Sequence, residues 1–189
     1  MVIDVKLRDK NLHLKEKAEK IKVILTDVDG VLTDTGVYYG QEGEAFRRFS
    51  IRDGMGVERL RKYVNVETGI VTGEDTEIVR ARANKLQMKE IHLGINRKDE
   101  VFNEILSRRN LKAGEVAYIG DDSNDVTIMK LAGLTACPKD ATMFAKNIAD
   151  VIVNSKGGNG AFRDFAELII EAKTKKKVFR KDDDEVKQS

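Results

Sequence analysis

Short apolar runs alternate along this chain with longer segments in which apolar residues recur every three or four positions. The short runs are rich in β-branched residues and are predicted as strands, whereas the longer segments have the period of a helix. The predicted strands are VILT (23–26), GIVT (69–72), EIHL (90–93), VAYIG (116–120), LTAC (134–137) and DVIV (150–153). The predicted helices are VERLRKY (57–63), TEIVRARANKLQ (76–87), DEVFNEILSRR (99–109), NDVTIMKLA (124–132), ATMFAKNIA (141–149) and AFRDFAELIIEA (161–172). This repetition predicts a parallel sheet with helices on both faces, a Rossmann-like α/β fold.

One stretch interrupts the alternation of strand and helix. The segments GVYYG and EAFRRFS flank QEGE, which predicts a β-hairpin inserted after the first strand. The insertion is too short to form a cap domain. Val37, Tyr39, Phe46 and Phe49 are predicted to give this hairpin an apolar face, which two strands cannot bury alone. We therefore expect another subunit to cover it.

Composition and charge restrict the classes of function. With 189 residues, 41% of them hydrophobic, the chain has the size and apolar content of one domain. It has no run of about eighteen apolar residues and no secretory signal, so we expect a cytoplasmic protein without membrane contact. The two ends together carry +5 and residues 21–171 carry −3, which argues against a nucleic-acid surface.

The same charge pattern suggests a division of the chain. We predict an N-terminal helical extension at 1–20, a single domain at 21–172, and a charged tail at 173–189. The tail, rich in lysine and aspartate, is expected to be disordered.

Acidic residues follow two of the predicted strands directly. Asp27 and Asp29 come after the first strand, and Asp121, Asp122 and Asp125 come after VAYIG. Because the carboxyl ends of parallel strands meet at one edge of the sheet, we expect these carboxylates to converge. Like charges that close are unfavourable without a cation among them, and Mg²⁺ prefers oxygen ligands. The pattern therefore predicts a magnesium site.

Other metal sites and acidic motifs fit less well. One cysteine, Cys137, and two histidines, His13 and His92, are too few for a structural zinc site. An EF-hand loop starting at Asp27 fails because its glycine position holds Leu32. A response-regulator receiver also gathers acidic residues, a threonine and a lysine at strand ends, but in a different chain order.

The order found here resembles that of the haloacid dehalogenase superfamily of phosphotransferases. The matching motifs are DVDGVLTD (27–34), Thr72, Lys98 and GDD (120–122) with Asp125. The resemblance spans about residues 21–170 and implies a phosphatase with a covalent phosphoryl-enzyme intermediate.

The resemblance implies a role for each motif. Asp27 is expected to be the nucleophile, and Asp29 the general acid for the leaving oxygen and then the base for water. Thr72, Gly73 and Lys98 are expected to bind phosphate. This chemistry needs those residue types, because a second carboxyl must donate a proton in one half-reaction and accept one in the other.

The resemblance also implies the metal ligands. Mg²⁺ is expected to be bound by Asp27, by Asp29 through its carbonyl oxygen, and by Asp121. Asp122 and Asp125 are expected to support this site.

Within the superfamily, the chain resembles a capless, tetrameric branch. That branch contains 3-deoxy-manno-octulosonate (KDO) 8-phosphate phosphatases, 3-deoxy-nononate (KDN) 9-phosphate phosphatases and the phosphatase-like domain of some acylneuraminate cytidylyltransferases. The resemblance rests on the hairpin, DVDGVLTDTGVYYG, IRDGMGVERL and NSKGGNGAFRD. It implies a homotetramer in which a neighbour closes the active site, with Arg52 and residues 157–160 as further substrate contacts. A noncatalytic assembly module is the alternative, against which the presence of Asp29 and Asp121 argues.

The residues after Thr72 bear on substrate length. Glu74, Ile78, Arg82 and Lys85 have helical spacing and are predicted to share one helix face. KDO 8-phosphate enzymes usually have arginine after Thr-Gly, whereas this chain has Glu74, which together with Lys85 resembles the KDN 9-phosphate type. We therefore expect Glu74, Arg82 and Lys85 to contact a phosphorylated nine-carbon sugar acid (KDN 9-phosphate or N-acetylneuraminate 9-phosphate), with KDO 8-phosphate as the alternative.

Overall fold

The computed structural model describes residues 12–174. In chain order the elements are α1 (Leu12–Lys20), β1 (Val23–Thr26), β2 (Thr33–Gly40), β3 (Gly43–Phe49), α2 (Ile51–Val64), β4 (Glu67–Val71), α3 (Glu77–Lys85), β5 (Glu90–His92), α4 (Lys98–Arg109), β6 (Val116–Ile119), α5 (Val126–Met129), β7 (Leu134–Cys137), α6 (Met143–Lys146), β8 (Val151–Ile152) and α7 (Ala161–Thr174). Residues 113–115 and 123–125 form short 3-10 turns.

Six of the strands form one parallel sheet in the order β5-β4-β1-β6-β7-β8. Strands β1, β6 and β7 are buried along their whole length, which explains their unbroken apolar character. Strand β1 lies between β4 and β6, so the loops that follow these three strands meet at the middle of one edge. The predicted Rossmann-like fold is confirmed.

Neighbouring residues of β1 point into two separate cores. Ile24 packs in a cluster that contains Phe162 of α7, whereas Leu25 packs with Phe102 of α4. The sheet is therefore covered by helices on both faces, as predicted.

Helix α2 begins at Ile51, six residues before the start predicted at Val57. The Ser50 hydroxyl caps it by accepting a hydrogen bond from the Asp53 N–H at 3.3 Å. Glycine at position 56 weakened the sequence signal for a helix. A Cβ on Gly56 would lie 3.2 Å from the Cα of Arg163, so this glycine allows α2 and α7 to pack closely.

Helices α5 and α6 have four residues each and are shorter than predicted. The predictions 124–132 and 141–149 counted turn residues as helix. Only fourteen residues separate the end of β6 from the start of β7, and both loops must fit within them. The 3-10 turn at 123–125 takes up the first residues of the predicted helix, so α5 begins only at Val126.

Strands β2 and β3 form the predicted hairpin as a separate antiparallel sheet. Its register pairs Phe46 with Tyr38 rather than with Tyr39, because a bulge follows Tyr38. Tyr38, Tyr39 and Phe46 are 59%, 76% and 70% exposed, while Phe49 packs against the main core. The prediction that Val37, Tyr39, Phe46 and Phe49 share one apolar face was therefore wrong, because Phe46 pairs with Tyr38 and Phe49 packs against the main core.

The hairpin is the only sheet besides the main one within residues 12–174, in agreement with a fold that has no cap domain. In the same range, none of the helices combines the length and apolar character needed to cross a bilayer.

The predicted division of the chain is only partly covered by the structure. Helix α1 contacts α7, where the Lys173 ammonium donates to the Glu19 carbonyl at 2.7 Å. Most of the predicted tail 173–189, and residues 1–11 of the predicted extension 1–20, lie outside the described residues. The boundaries of the domain 21–172 stay a prediction.

Candidate active site

The edge formed by β1 and β6 brings together three of the predicted acidic residues. Asp27 follows β1, and its N–H donates to the carbonyl of Ile119 at the end of β6 at 3.0 Å. One carboxylate oxygen each from Asp27, Asp121 and Asp125 lies within 4.8 Å of the others. Asp27 and Asp125 are buried, and Asp121 is half-buried. The expected convergence is thus present for three of the five carboxylates, whereas the side chains of Asp29 and Asp122 have other partners.

Lys98 supplies a positive charge inside this acidic cluster. It is the first residue of α4, and its side chain is only 1% exposed. Its ammonium lies 2.9 Å from Asp27 Oδ2 and 2.7 Å from Asp125 Oδ1. Burial would lower the pKa of Lys98, but the two carboxylates outweigh burial and raise it. Lys98 therefore remains a charged ammonium between two carboxyl groups.

The carboxylate of Asp125 is fully engaged by donors. Its Oδ1 accepts from the Lys98 ammonium at 2.7 Å and from the Tyr118 hydroxyl at 2.6 Å. Its Oδ2 accepts from the backbone N–H groups of Asp121 at 2.8 Å and Asp122 at 3.3 Å. A carboxylate offers about four lone-pair sites, so Asp125 holds its neighbours in place and has little capacity left for a metal.

Tyr118 is a residue of this site that the sequence analysis missed. It lies within β6, where it was interpreted as one more apolar strand residue, and its ring is fully buried. Its hydroxyl both donates to Asp125 and lies 3.3 Å from the Lys98 ammonium. A tyrosine in a buried strand needs a partner for its hydroxyl, and that need was the available signal.

The electrostatics of the cluster favour a cation. Burial, aided by Asp125 and opposed by Lys98, raises the pKa of Asp27 to about 7. Burial and the charges of Asp27 and Asp125 raise the pKa of Asp121 to about 8. The single ammonium of Lys98 thus does not balance the nearby carboxylates.

The donor set fits Mg²⁺, because it consists of oxygens from Asp27 and Asp121 beside a backbone loop. The DVDG loop (residues 27–30) leaves room for this arrangement at Gly30, which has φ +83°. A Cβ there would overlap the carboxylate of Asp121. Only glycine lets Asp121 approach the loop that carries Asp27.

The Asp29 side chain is held by two residues of the hairpin. Its Oδ1 accepts a hydrogen bond from the Thr33 hydroxyl at 2.9 Å, and its Oδ2 pairs with the guanidinium of Arg47. Arg47, on β3 of the hairpin, is the second residue that the sequence analysis missed. No local pattern identified it, since its contacts depend on where the hairpin folds back.

Thr72 and Gly73 follow β4, the strand next to β1. Thr72 is buried, and its hydroxyl accepts from the Glu74 N–H at 3.3 Å. Its own N–H donates to the His92 carbonyl at 3.0 Å. Gly73 is exposed at the same edge. The backbone at Thr72 is therefore held firmly beside the DVDG loop, where a phosphate ligand is expected.

The predicted helix face from Glu74 to Lys85 was wrong at its start. Helix α3 begins at Glu77 and is capped by the hydroxyl of Thr76, which accepts from the Val79 N–H. Glu74 precedes the cap and lies in the loop, where it pairs with a guanidinium nitrogen of Arg47 at 3.1 Å. The spacing of Glu74 and Ile78 matched a helix, but the N-cap at Thr76 lies between them and marks the start of α3.

Arg82 and Lys85 do lie on α3. The Arg82 guanidinium donates to the Ser50 carbonyl at 2.9 Å and lies 5.6 Å from the centre of the Phe49 ring. It thereby ties α3 to the start of α2. Lys85 is exposed at the last position of the helix.

Two further predicted residues lie outside the acidic cluster. Arg52 is exposed in the first turn of α2. The Asp122 carboxylate accepts from the Ser123 N–H at 2.6 Å and from the Thr142 hydroxyl at 3.1 Å. Asp122 therefore stabilises the loop after β6 instead of joining the other carboxylates.

The glycine segment 157–160 packs behind the DVDG loop. The Gly158 N–H donates to the Val31 carbonyl at 2.9 Å. A Cβ on Gly157 would overlap the carbonyl of Gly30, and Gly158 has φ +61°. This segment therefore supports the DVDG loop, and its predicted role as a substrate contact stays a prediction.

Comparison with known proteins identifies the family. Residues 56–163 match the family model of haloacid dehalogenase-like hydrolases. The chain belongs to this family. The hydrolase is 36% identical over 166 residues to the KDO 8-phosphate phosphatase of Haemophilus influenzae, which covers 88% of this chain and 92% of the relative. It is 34% identical over 159 residues to the Escherichia coli K12 enzyme of the same name, covering 84% of each.

Solved structures agree with this placement. The cobalt-bound KDO 8-phosphate phosphatase of Haemophilus influenzae matches the hydrolase with a TM-score of 0.81 at 36% identity, covering 84% of this chain and 92% of that one. The Moraxella catarrhalis enzyme, solved with magnesium ion, phosphate ion and KDO, matches with a TM-score of 0.83 at 30% identity, covering 86% and 92%. Mg²⁺ is thus the cofactor that both the donor set and the family indicate.

The raised pKa values predict how stability depends on pH when no metal is bound. Asp27 and Asp121 have an ordinary pKa of 3.8 and folded values of about 7 and about 8. Between these limits the folded state retains protons that the unfolded chain has lost, so stability should fall as pH rises. We expect the melting temperature in EDTA to be lower at about pH 8 than at about pH 6, and Mg²⁺ to restore it at the higher pH.

Asp27→Asn provides the control for this measurement. The variant removes one of the two titrating charges and should weaken the pH dependence, whereas a contribution from buried Asp53, whose pKa burial also raises, would remain. A melting temperature in EDTA that is constant over this pH range would contradict the prediction.

Proposed function

We propose that this hydrolase is a Mg²⁺-dependent phosphatase that removes the phosphate of a phosphorylated 3-deoxy-2-ulosonic acid, with KDO 8-phosphate as its substrate. The observation that carries the proposal is the buried Lys98 ammonium, held between Asp27 and Asp125 at the edge where Asp121 also lies. This arrangement combines a carboxylate nucleophile with positive charge for a phosphate. The substrate class is that of the relatives named above.

In this proposal Asp27 attacks phosphorus, and the bond from phosphorus to the sugar oxygen breaks. Asp29 gives the leaving oxygen its proton, so the sugar acid departs as an alcohol and the aspartyl phosphate remains. Asp29 then accepts a proton from the water that attacks the aspartyl phosphate, which releases inorganic phosphate and regenerates Asp27. Lys98, Thr72 and Gly73 bind the phosphoryl oxygens and offset their charge.

The proposed metal ligands are the oxygen donors at the carboxyl ends of β1 and β6. Asp27, the carbonyl of Asp29 and Asp121 would hold Mg²⁺, which when bound neutralises charge on the transferring phosphoryl group. Asp125 and Asp122 support them, since Asp125 accepts from the Asp121 N–H and Asp122 braces the same loop. The positive charges of Lys98 and the metal together let an acidic site accept an anionic substrate.

The position of Glu74 bears on the length of the sugar acid. A carboxylate close to a bound phosphate needs a partner that offsets its charge or donates hydrogen bonds to it. Its pairing with Arg47 of the same chain accounts for that charge without a substrate hydroxyl. The eight-carbon substrate is therefore the first proposal, and KDN 9-phosphate or N-acetylneuraminate 9-phosphate is the second, supported by the resemblance at Glu74 and Lys85. Arg52, Arg82 and Lys85 stay predicted substrate contacts.

We also propose that the active form is a homotetramer. Tyr38, Tyr39 and Phe46 are exposed on a two-stranded hairpin beside the open edge of the site. Exposed aromatic side chains at this density are typical of protein–protein contacts. A neighbour's hairpin packed here would close the site in place of a cap.

The nucleophile and the metal provide the first test of the proposed function. Asp27→Asn should abolish turnover of KDO 8-phosphate while the fold persists, because an amide cannot form the acyl phosphate. EDTA should abolish activity and Mg²⁺ should restore it. Asp34→Asn removes a charge from the same motif at an exposed position, where it pairs with Arg48, and should retain activity. Full activity of Asp27→Asn would refute the mechanism.

Substrate length is tested by measuring kcat/KM on KDO 8-phosphate and KDN 9-phosphate side by side. The first proposal expects the eight-carbon substrate to be hydrolysed at least as well. A nine-carbon preference of tenfold or more, about 1.4 kcal/mol in transition-state binding, would establish the second proposal. In that case Glu74→Gln should reduce the rate on the nine-carbon substrate more than on the eight-carbon one.

Assembly is tested by light scattering. The wild-type chain should have about four times its 21.2 kDa mass, and Phe46→Ser should shift it toward smaller species because the contact loses an aromatic side chain. Tyr63→Ser, at a 49% exposed aromatic on α2, serves as the control and should leave the mass unchanged. A monomeric, fully active wild type would contradict the shared site.

A further inference from the structure

Strand β3 carries two adjacent arginines with opposite environments. The Arg47 side chain is 2% exposed, whereas that of Arg48 is 48% exposed. Neighbouring residues of a strand point to opposite faces, so Arg47 points toward the body of the protein. A buried guanidinium is rare unless it is paired.

The Arg47 guanidinium is surrounded by three carboxylates. Its Nε lies 2.5 Å from Glu44 Oε1, and its Nη2 lies 2.8 Å from Glu44 Oε2 and 3.1 Å from Glu74 Oε2. Its Nη1 contacts Asp29 Oδ2. Burial would lower the pKa of Arg47, but Glu44 and Asp29 outweigh it and raise the pKa. All three guanidinium nitrogens are therefore engaged within the chain.

These contacts make a direct substrate role for Arg47 unfavourable. Binding the carboxylate of a sugar acid would require Arg47 to leave at least one of its three anionic partners without its hydrogen bonds. Releasing Glu74 would cost little, because its side chain is 55% exposed. Glu44 and Asp29 have side chains only 15% and 28% exposed, and leaving either one unpaired at such a position is costly. The geometry instead directs the Nη1 group of Arg47 at the carboxylate of Asp29.

The contact with Arg47 completes a two-sided support for Asp29. The Thr33 hydroxyl donates to Asp29 Oδ1 at 2.9 Å, and Arg47 donates to Oδ2. Each oxygen keeps a further lone pair, so the carboxyl group is oriented without losing the position for a transferable proton. Thr33 begins β2 and Arg47 belongs to β3, so both supports come from the hairpin.

We infer that Arg47 is a positioning residue for the proton transfer carried out by Asp29, and that the hairpin thereby takes part in catalysis within its own subunit. The inference rests on the proposed function, because it needs Asp29 to protonate a leaving oxygen. Misplacing a reacting group by about 1 Å can lower the rate about a hundredfold.

The inference is tested by measuring how the effect of an Arg47 variant on kcat/KM depends on the leaving group of the substrate. Arg47→Met is compared with the wild type by kcat/KM on KDO 8-phosphate, on mannose 6-phosphate and on p-nitrophenyl phosphate. This parameter reports the steps up to formation of the aspartyl phosphate, in which the leaving oxygen departs. A sugar alkoxide needs a proton to depart, whereas p-nitrophenolate does not.

The expected result is a loss of about ten- to hundredfold on both sugar phosphates and of less than about threefold on p-nitrophenyl phosphate. Arg48→Met is the matched control. Arg48 lies on the same strand and bonds Asp34 at 2.8 Å and Asn159 at 3.0 Å instead of Asp29, so its replacement should change none of the three values by more than about threefold.

Other outcomes would overturn the inference. An equal loss on all three substrates would mean that Arg47 acts on the fold or on Asp27. A loss confined to KDO 8-phosphate would mean that Arg47 binds the substrate's carboxylate, since mannose 6-phosphate has none. No loss on any substrate would also overturn it. A wild type inactive on all three would instead refute the proposed function.

Two further variants guard against a folding defect. Arg47→Lys keeps a donor and should recover part of the loss on the sugar phosphates. The double variant Arg47→Met/Glu44→Gln removes one of the carboxylates left unpaired and should restore the melting temperature without restoring the sugar phosphate rate.

The coupling between Arg47 and Asp29 is tested in an Asp29→Asn background. There, Arg47→Met should have no further effect on kcat/KM, because the group that it positions is absent.

Discussion

The arrangement of the active site depends on one buried ammonium group, that of Lys98. Three carboxylates within 4.8 Å of one another would repel strongly at a buried sheet edge. Lys98 offsets part of that repulsion through contacts of 2.9 Å and 2.7 Å with Asp27 and Asp125. Burial, together with the neighbouring carboxylates, still raises the pKa values of Asp27 and Asp121. A metal ion bound by these oxygens would offset the remaining repulsion.

Close backbone packing is the second requirement of this edge. Side chains at Gly30 or Gly120 would overlap the carboxylates of Asp121 and Asp125, and one at Gly157 would overlap the carbonyl of Gly30. The loops after β1 and β6 and the glycine segment 157–160 can meet only because these positions lack a Cβ. The spacing of the acidic residues is therefore determined by backbone contacts, and their charge is tolerated because of Lys98.

The residues of the hairpin differ in exposure. Arg47 and Thr33 contact Asp29, whereas Tyr38, Tyr39 and Phe46 are exposed. Phe46 and Arg47 differ in this way because successive residues of a strand point to opposite faces. In the proposed tetramer, a neighbour packed against Phe46 would therefore contact the strand that also carries Arg47.

The sequence by itself determined the strands of the main sheet and the edge at which Asp27 and Asp121 meet. Buried apolar runs are a local signal for parallel strands, and the carboxyl ends of such strands share one edge of the sheet. The roles assigned to the carboxylates rest on the resemblance to the family. Tertiary structure alone decided the partner of Glu74, the role of Tyr118 and the position of Arg47. Those contacts join residues 7 to 27 positions apart in the chain. Their geometry depends on how the hairpin and the loops after β4 and β6 fold back on one another, which local patterns do not encode.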